Sequence, residues 1–123
     1  MNPGFTKNYM AGGTIAYGRL VKFSADRTVV QAAAATDLIV GVCQQPGGAA
    51  SGERVDICHS GMPEVEFGGT VNRGDVVTAD ADGKAVAAAP AGGTNNRIAG
   101  FPVATQASGD IAPIVMALGF KQG

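Results

Sequence analysis

Cys43, Cys58 and His59 are the residues best suited to metal or nucleophilic chemistry, since thiolates and imidazole bind zinc and a Cys–His pair makes an activated nucleophile. Their spacing argues against both. His59 is the only histidine and directly follows Cys58, so on a strand the two side chains point to opposite faces, and no fourth ligand is evident. Both cysteines fall in strand-like segments, where buried, reduced thiols are the default. Asp80, Asp82 and Gly83 resemble the opening of a calcium loop, but the D-x-D-x-D-G order and the terminal bidentate Glu are missing, so this stretch reads as a hairpin turn. The glycine-rich run Pro46 to Gly52 lacks the Gly-Lys-Ser/Thr and following helix of a phosphate cradle. Glu64 and Glu66 share one face at i, i+2 spacing. That face reads as the solvent face, with nothing to turn either into an acid or base. The residues therefore point to no enzyme, no metal site and no cofactor.

The elements that carry these residues are duplicated. GRLVKFSADRTVVQAA, from Gly18, and GDVVTADADGKAVAAA, from Gly74, align at a shift of 56 positions without a gap, matching Gly18/Gly74, Val21/Val77, Ala25/Ala81, Asp26/Asp82, Val30/Val86, Ala32/Ala88 and Ala33/Ala89. Each copy then reaches a short apolar run containing glycine, LIVGV at Leu38 to Val42 and RIAGF at Arg97 to Phe101. ASGERVDICHSG from Ala50 is echoed by ASGDIAPIVMALG from Ala107. A unit of about 55 residues buries too little apolar surface to fold alone, so the copies are expected to share one core with a pseudo-two-fold internal repeat. The reading is all-β: an arm over 1–13, then one domain over 14–123 with halves at about 14–68 and 69–123.

The 123 residues suit one domain. Hydrophobic content is 46%, mostly Ala and Val, with 15% charged residues, so part of the outside is expected to be covered by other copies or an assembly. Net charge is −1 with no basic cluster, which excludes the footprint of a nucleic-acid binder. There is no 18-residue apolar span and no leader pattern, so a soluble, unprocessed protein without membrane partners is expected.

Met1 to Gly13 has no clear period and contains Pro3, Gly4, Gly12 and Gly13, with Phe5, Tyr9 and Met10 as apolar anchors. It reads either as an arm that orders on a partner or as a tail folded back on its own domain. Thr14 to Phe23 reads as the first strand, and the turns at Ser24 to Arg27 and Asp80 to Gly83 give two equivalent hairpins. Alternation places Val55, Ile57, Val65 and Phe67 inward. Gln45 to Gly52 and Ala88 to Asn96 read as surface loops. Ile111 to Leu118 is nearly all apolar with Pro113 inside, which suggests an edge or bulge and a natural subunit contact.

TKNYMAGGTI, LIVGVCQQPGGAASGERVDICHSG and VNRGDVVTADADGKAVAAAP together resemble the capsid decoration, or cement, proteins of tailed phages, a DUF2190-like family. The resemblance runs from about Thr6 to Ala117 and rests on turn glycines and strand patterns. It implies a small β-barrel or β-sandwich, made in the bacterial host cytoplasm, that sits on the outer capsid surface. There it would bridge major capsid proteins as a homotrimer or a dimer. On that reading Phe5, Thr6, Lys7, Asn8, Tyr9 and Met10 of the arm, with Ile111, Ile114 and Met116 of the closing segment, are the expected capsid or subunit contacts. The alternative is a particle-displayed host- or glycan-binding module that reads its target with the loops Gln45 to Gly52 and Ala91 to Asn96.

Overall fold

The computed structural model describes residues 6–90 and 92–122, and every regular element among them is a strand. Five strands, β1 (Thr6–Ala11), β2 (Leu20–Ala25), β3 (Thr28–Gln31), β4 (Gly41–Cys43) and β5 (Arg54–Cys58), close into a barrel in the order β1-β3-β2-β4-β5. Five more, β6 (Glu64–Glu66), β7 (Val77–Ala79), β8 (Ala85–Ala87), β9 (Asn95–Pro102) and β10 (Ile111–Gln122), form a second sheet in the order β6-β10-β9-β7-β8. With β6 set in the place of β1 and so on, the second order is the first one opened at a single seam.

The duplication read from sequence holds at the level of single hydrogen bonds. The Ile15↔Ala49 bridge recurs as Val71↔Gln106, and the parallel pair Ala11↔Val29 recurs as Phe67↔Ala85. Gly12 N–H donates to the Val29 carbonyl at 2.8 Å, and Gly68 N–H to that of Ala85 at 2.9 Å. The Glu53 carboxylate accepts from Ala50 N–H, and the Asp110 carboxylate from Ala107 N–H, so the same turn is built twice. In the β2–β3 turn Arg27 has φ 56°, where the β7–β8 turn has Gly83 at 75°. The first hairpin thus carries a left-handed non-glycine residue where its copy uses the residue that accepts this conformation without strain.

The halves differ where β1 meets β3. In the first barrel those strands pair directly and Met10 N–H donates to the Arg27 carbonyl at 3.0 Å. Between β6 and β8 the matching bond is absent and the chain segment Gly18 to Leu20 lies in the gap. Glu66 N–H donates to the Gly18 carbonyl at 2.9 Å, and Leu20 N–H to the Gly83 carbonyl at 2.8 Å. Side chains reinforce the wedge. Arg19 reaches Glu66 at 3.2 Å and the Asp82 carbonyl at 2.9 Å, Lys84 lies 3.6 Å from the other Glu66 oxygen, and the Tyr17 hydroxyl donates to Glu64 at 2.8 Å. Glu64 and Glu66 do share a face, but it is half-buried against the first half and not open to solvent, because Tyr17 and Arg19 cover it.

One apolar cluster fills the first barrel with Ile15, Val21, Val29, Cys43, Val55 and Ile57. The other spans the junction: Leu20, Ala32, Ile39 and Val42 from the first half pack with Val65, Phe67, Val77 and Ile114 from the second. All four residues expected inward, Val55, Ile57, Val65 and Phe67, are fully buried.

The N-terminal segment departs from expectation. Thr6 to Ala11 is not an arm but the strand that closes the first barrel, pairing with β5 from Thr6↔Cys58 to Met10↔Arg54 and with β3. Of the two alternatives this is the folded-back one. Phe5 lies outside the described residues. The strand expected first, over Thr14 to Phe23, is the second, Leu20–Ala25: Ile15 makes only an isolated bridge, and Gly18 turns the chain at φ 79° before β2 starts. Pro113 needs no N–H partner where β10 passes β6; Ile114 and Met116 still donate to the Pro63 and Gly61 carbonyls on that side, while β9 pairs along the other edge with a register shift between Met116 and Gly119.

Leu20→Ala should cost about 2–5 kcal/mol, because it empties a fully buried site at the junction. Urea unfolding should still show one transition for both halves; a separate early loss of the second sheet would refute a shared core. Burial, then the hydrogen bond to the Glu64 carboxylate, raise the Tyr17 hydroxyl from 10.0 to about 12. A raised acid contributes stability that is complete below the unfolded value and is lost as pH rises through the folded one. Wild-type stability should therefore fall between about pH 10 and 12, and Tyr17→Phe should lack that component of the fall in pH-dependent denaturation.

Candidate interaction surface

The positions with chemical potential are held apart by the strands that carry them. Cys43 pairs with Ile57 and faces the barrel interior, whereas Cys58 pairs with Val42 on the opposite face of the same two strands. Burial pushes the Cys43 thiol above its usual range, and the Cys58 thiol donates to the Ser60 carbonyl at 2.9 Å. His59 turns away from both. Its Nδ1 lies 2.7 Å from the Val40 carbonyl and its Nε2 2.6 Å from the Tyr9 hydroxyl. A carbonyl only accepts, so Nδ1 carries a proton; in the neutral ring Nε2 then accepts from the Tyr9 hydroxyl. Asp80 uses Oδ1 to accept from Asp82 N–H and Lys84 N–H, which makes it the organiser of the β7–β8 turn. Among the described residues, no three of His, Cys, Asp and Glu converge as a metal site.

What the fold does assemble is apolar surface. Tyr9 stands edge-on to Phe23, with ring centroids 5.2 Å apart, and to the His59 ring at 5.4 Å. These rings, with Leu38, Leu118 and Arg97, line an open groove of about 480 Å³. Phe23, Leu38 and Leu118 are 45%, 58% and 47% exposed, high for large apolar side chains brought together. Beyond Met116 only β9 pairs with β10 among the described residues, and residues 117–122 are exposed throughout. Among the described residues no strand pairs with the outer edge of that ribbon beside Leu118 and Phe120, an arrangement suited to adding a strand or a packed partner. A second pocket, of about 270 Å³, shares Tyr9 with the groove and is lined also by Asn8, Met10, Arg27 and Arg54.

The residues expected to make contacts divide accordingly. Thr6, Lys7, Asn8 and Met10 are exposed on β1, and Tyr9 is half-buried in the groove wall. Ile111 is 51% exposed at the start of β10 and Met116 is half-buried against the core. Ile114 is fully buried in the junction cluster, so it packs the interior and is closed to a partner. Phe23, Leu38 and Phe120 went unpredicted. The available signal was a large apolar residue at a strand end or in a loop, outside the alternation that fills the core.

No protein-family model matches the chain, and no curated protein matches it. Among solved structures it is similar to the head fiber gp8.5 N base of bacteriophage phi29, with a TM-score of 0.69 and 21% sequence identity, over 92% of this chain and 93% of that one. At that identity the likeness is one of fold, and it embraces both halves of the molecule.

Replacing Leu118 and Phe120 together by Ser should change unfolding stability by no more than about 0.5 kcal/mol, since both are exposed. It should lower binding of a hydrophobic dye. Loss of cooperative unfolding instead would show that the ribbon supports the core.

Proposed function

We propose that this chain is a structural component of a phage particle with no enzymatic role. It binds the outer surface of the capsid, bridges neighbouring major capsid proteins and associates with copies of itself as a trimer. The observation that carries this reading is the fold likeness to a phage head fiber base over nearly the full length of both chains. The groove of exposed apolar side chains and the open edge of β10 support it, as surfaces that assembly would cover. The motif resemblance to capsid decoration proteins points the same way.

The mechanism is linkage. A protein that binds the assembled shell better than its separated subunits stabilises the assembled state by mass action. Many copies, each bound weakly, hold a lattice collectively. The contact residues that remain in this reading are Thr6, Lys7, Asn8, Met10 and Ile111, which are exposed, with Tyr9 and Met116 at their margins. Because Thr6 to Met10 forms a barrel strand, removing it would destroy the fold, and capsid contact has to be tested with side-chain substitutions there.

Quantitative mass spectrometry of purified particles should find this chain at a fixed ratio to the major capsid protein. Particles lacking it should release DNA at lower temperature and regain resistance when purified protein is added. Absence from the particle would overturn the proposal.

A further inference from the structure

The contact between the halves uses one face of each and leaves the corresponding faces bare. Tyr17 to Leu20 is wedged into the second half, but its repeat counterpart, Arg73 to Val76, meets no such partner. A Cβ on Gly18 would come within 3.1 Å of the Glu66 nitrogen, whereas one on Gly74 would meet nothing within 4 Å. Among the described residues no backbone hydrogen bond reaches the Gly74 carbonyl or leaves the Val76 N–H, although the matching groups of Gly18 and Leu20 are both bonded. The receiving face is bare as well. Asn8, Met10 and Arg27 occupy the repeat positions of Glu64, Glu66 and Gly83, and Met10 is 53% exposed.

The bare faces reverse the charge of the internal contact at one pair of positions, and Arg73, in the place of Tyr17, would meet the neutral Asn8, in the place of Glu64. Inside the chain, cationic Arg19 meets anionic Glu66. At the bare faces Asp75 stands in the place of Arg19, while Arg27 and Arg54 flank Met10, which stands in the place of Glu66. Among the described residues neither arginine is in an ion pair; Arg54 donates to Asn8 at 2.7 Å, and Asp75 accepts from Asn72 N–H at 3.2 Å.

We infer that copies of this chain join head to tail: the Arg73 to Val76 corner of one copy enters the β1–β3 seam of the next and repeats the internal contact, with Asp75 facing Arg27 and Arg54. The Met10 N–H to Arg27 carbonyl bond that closes this seam is exchanged for two, from Met10 N–H to the Gly74 carbonyl and from Val76 N–H to the Arg27 carbonyl. The internal bonds of Glu66 and Leu20 are the template. Such a contact is heterologous, so it closes as a ring or propagates as a fibre, and it does not make an isologous dimer. The inference deepens the self-association in the proposed function and is independent of the capsid.

The test is sedimentation of the full chain, without capsid, over a range of concentrations. Asp75→Arg alone, and Arg27→Glu with Arg54→Glu, should each weaken association by roughly tenfold or more. In an equimolar mixture every contact between unlike variants joins opposite charges, so association should be regained, at all contacts of an alternating fibre or even ring and at two of the three contacts of a trimeric ring. A chain that stays monomeric, or an assembly indifferent to both variants, would overturn the inference. As a second reading, Asp75→Cys and Met10→Cys in separate chains should form a disulfide with each other, and neither with itself. Self-linking of the Asp75→Cys chain would establish a two-fold contact and overturn the head-to-tail one. None of these outcomes bears on capsid binding, which the particle measurements decide separately.

Discussion

The structure depends on a three-residue wedge. Gly18 to Leu20 satisfies Glu66 N–H and the Gly83 carbonyl, which an open seam would otherwise leave without partners, and it inserts the Leu20 side chain over Phe67 and Ala85. The second half is an open sheet whose seam is filled by chain from the first. This resolves the size problem of a duplicated unit of about 55 residues, which has too little interior to stand alone. Gly18 is glycine for two reasons that coincide: its φ of 79° and the closeness of the Glu66 backbone.

Features fixed by local chemistry were legible in the sequence. The two hairpins follow from turn residues that recur at a constant shift, and the inward positions of β5 and β6 follow from alternation. β1 was not legible, because Lys7 and Asn8 beside Tyr9 and Met10 give no apolar period. That strand is held by five backbone register pairs with β5, a property of main chain that side-chain pattern does not report. Alternation also placed Glu64 and Glu66 on one face without revealing what covers it. The covering residues, Tyr17 and Arg19, are 47 positions away. The same limit applies to Phe23, Leu38 and Leu118, which meet only after both halves have folded.

A fold shared at 21% identity over nearly the whole length of two chains fits this division. The constraints that define the barrel and its opened copy are turns, close backbone approaches and register. Gly41 shows how few residues such constraints require: a Cβ there would lie 2.5 Å from the Cys58 carbonyl oxygen, so the backbone comes this close at Gly41 because the side chain is missing. Most other positions are free to change if they keep their side of the sheet, and a structure-level likeness then outlasts a sequence-level one.

The placement of the two cysteines has a consequence for chemical endurance. Whatever the oxidant, a disulfide needs the two sulfurs to meet at about 2 Å, and Cys43 and Cys58 lie on opposite faces of the sheet, which keeps them from doing so. Burial also keeps the Cys43 sulfur in its protonated, unreactive form. A chain moving from a reducing compartment into oxygenated surroundings would carry both sulfurs unchanged while it stays folded. Its two thiols would thus be indifferent to the redox history of the medium.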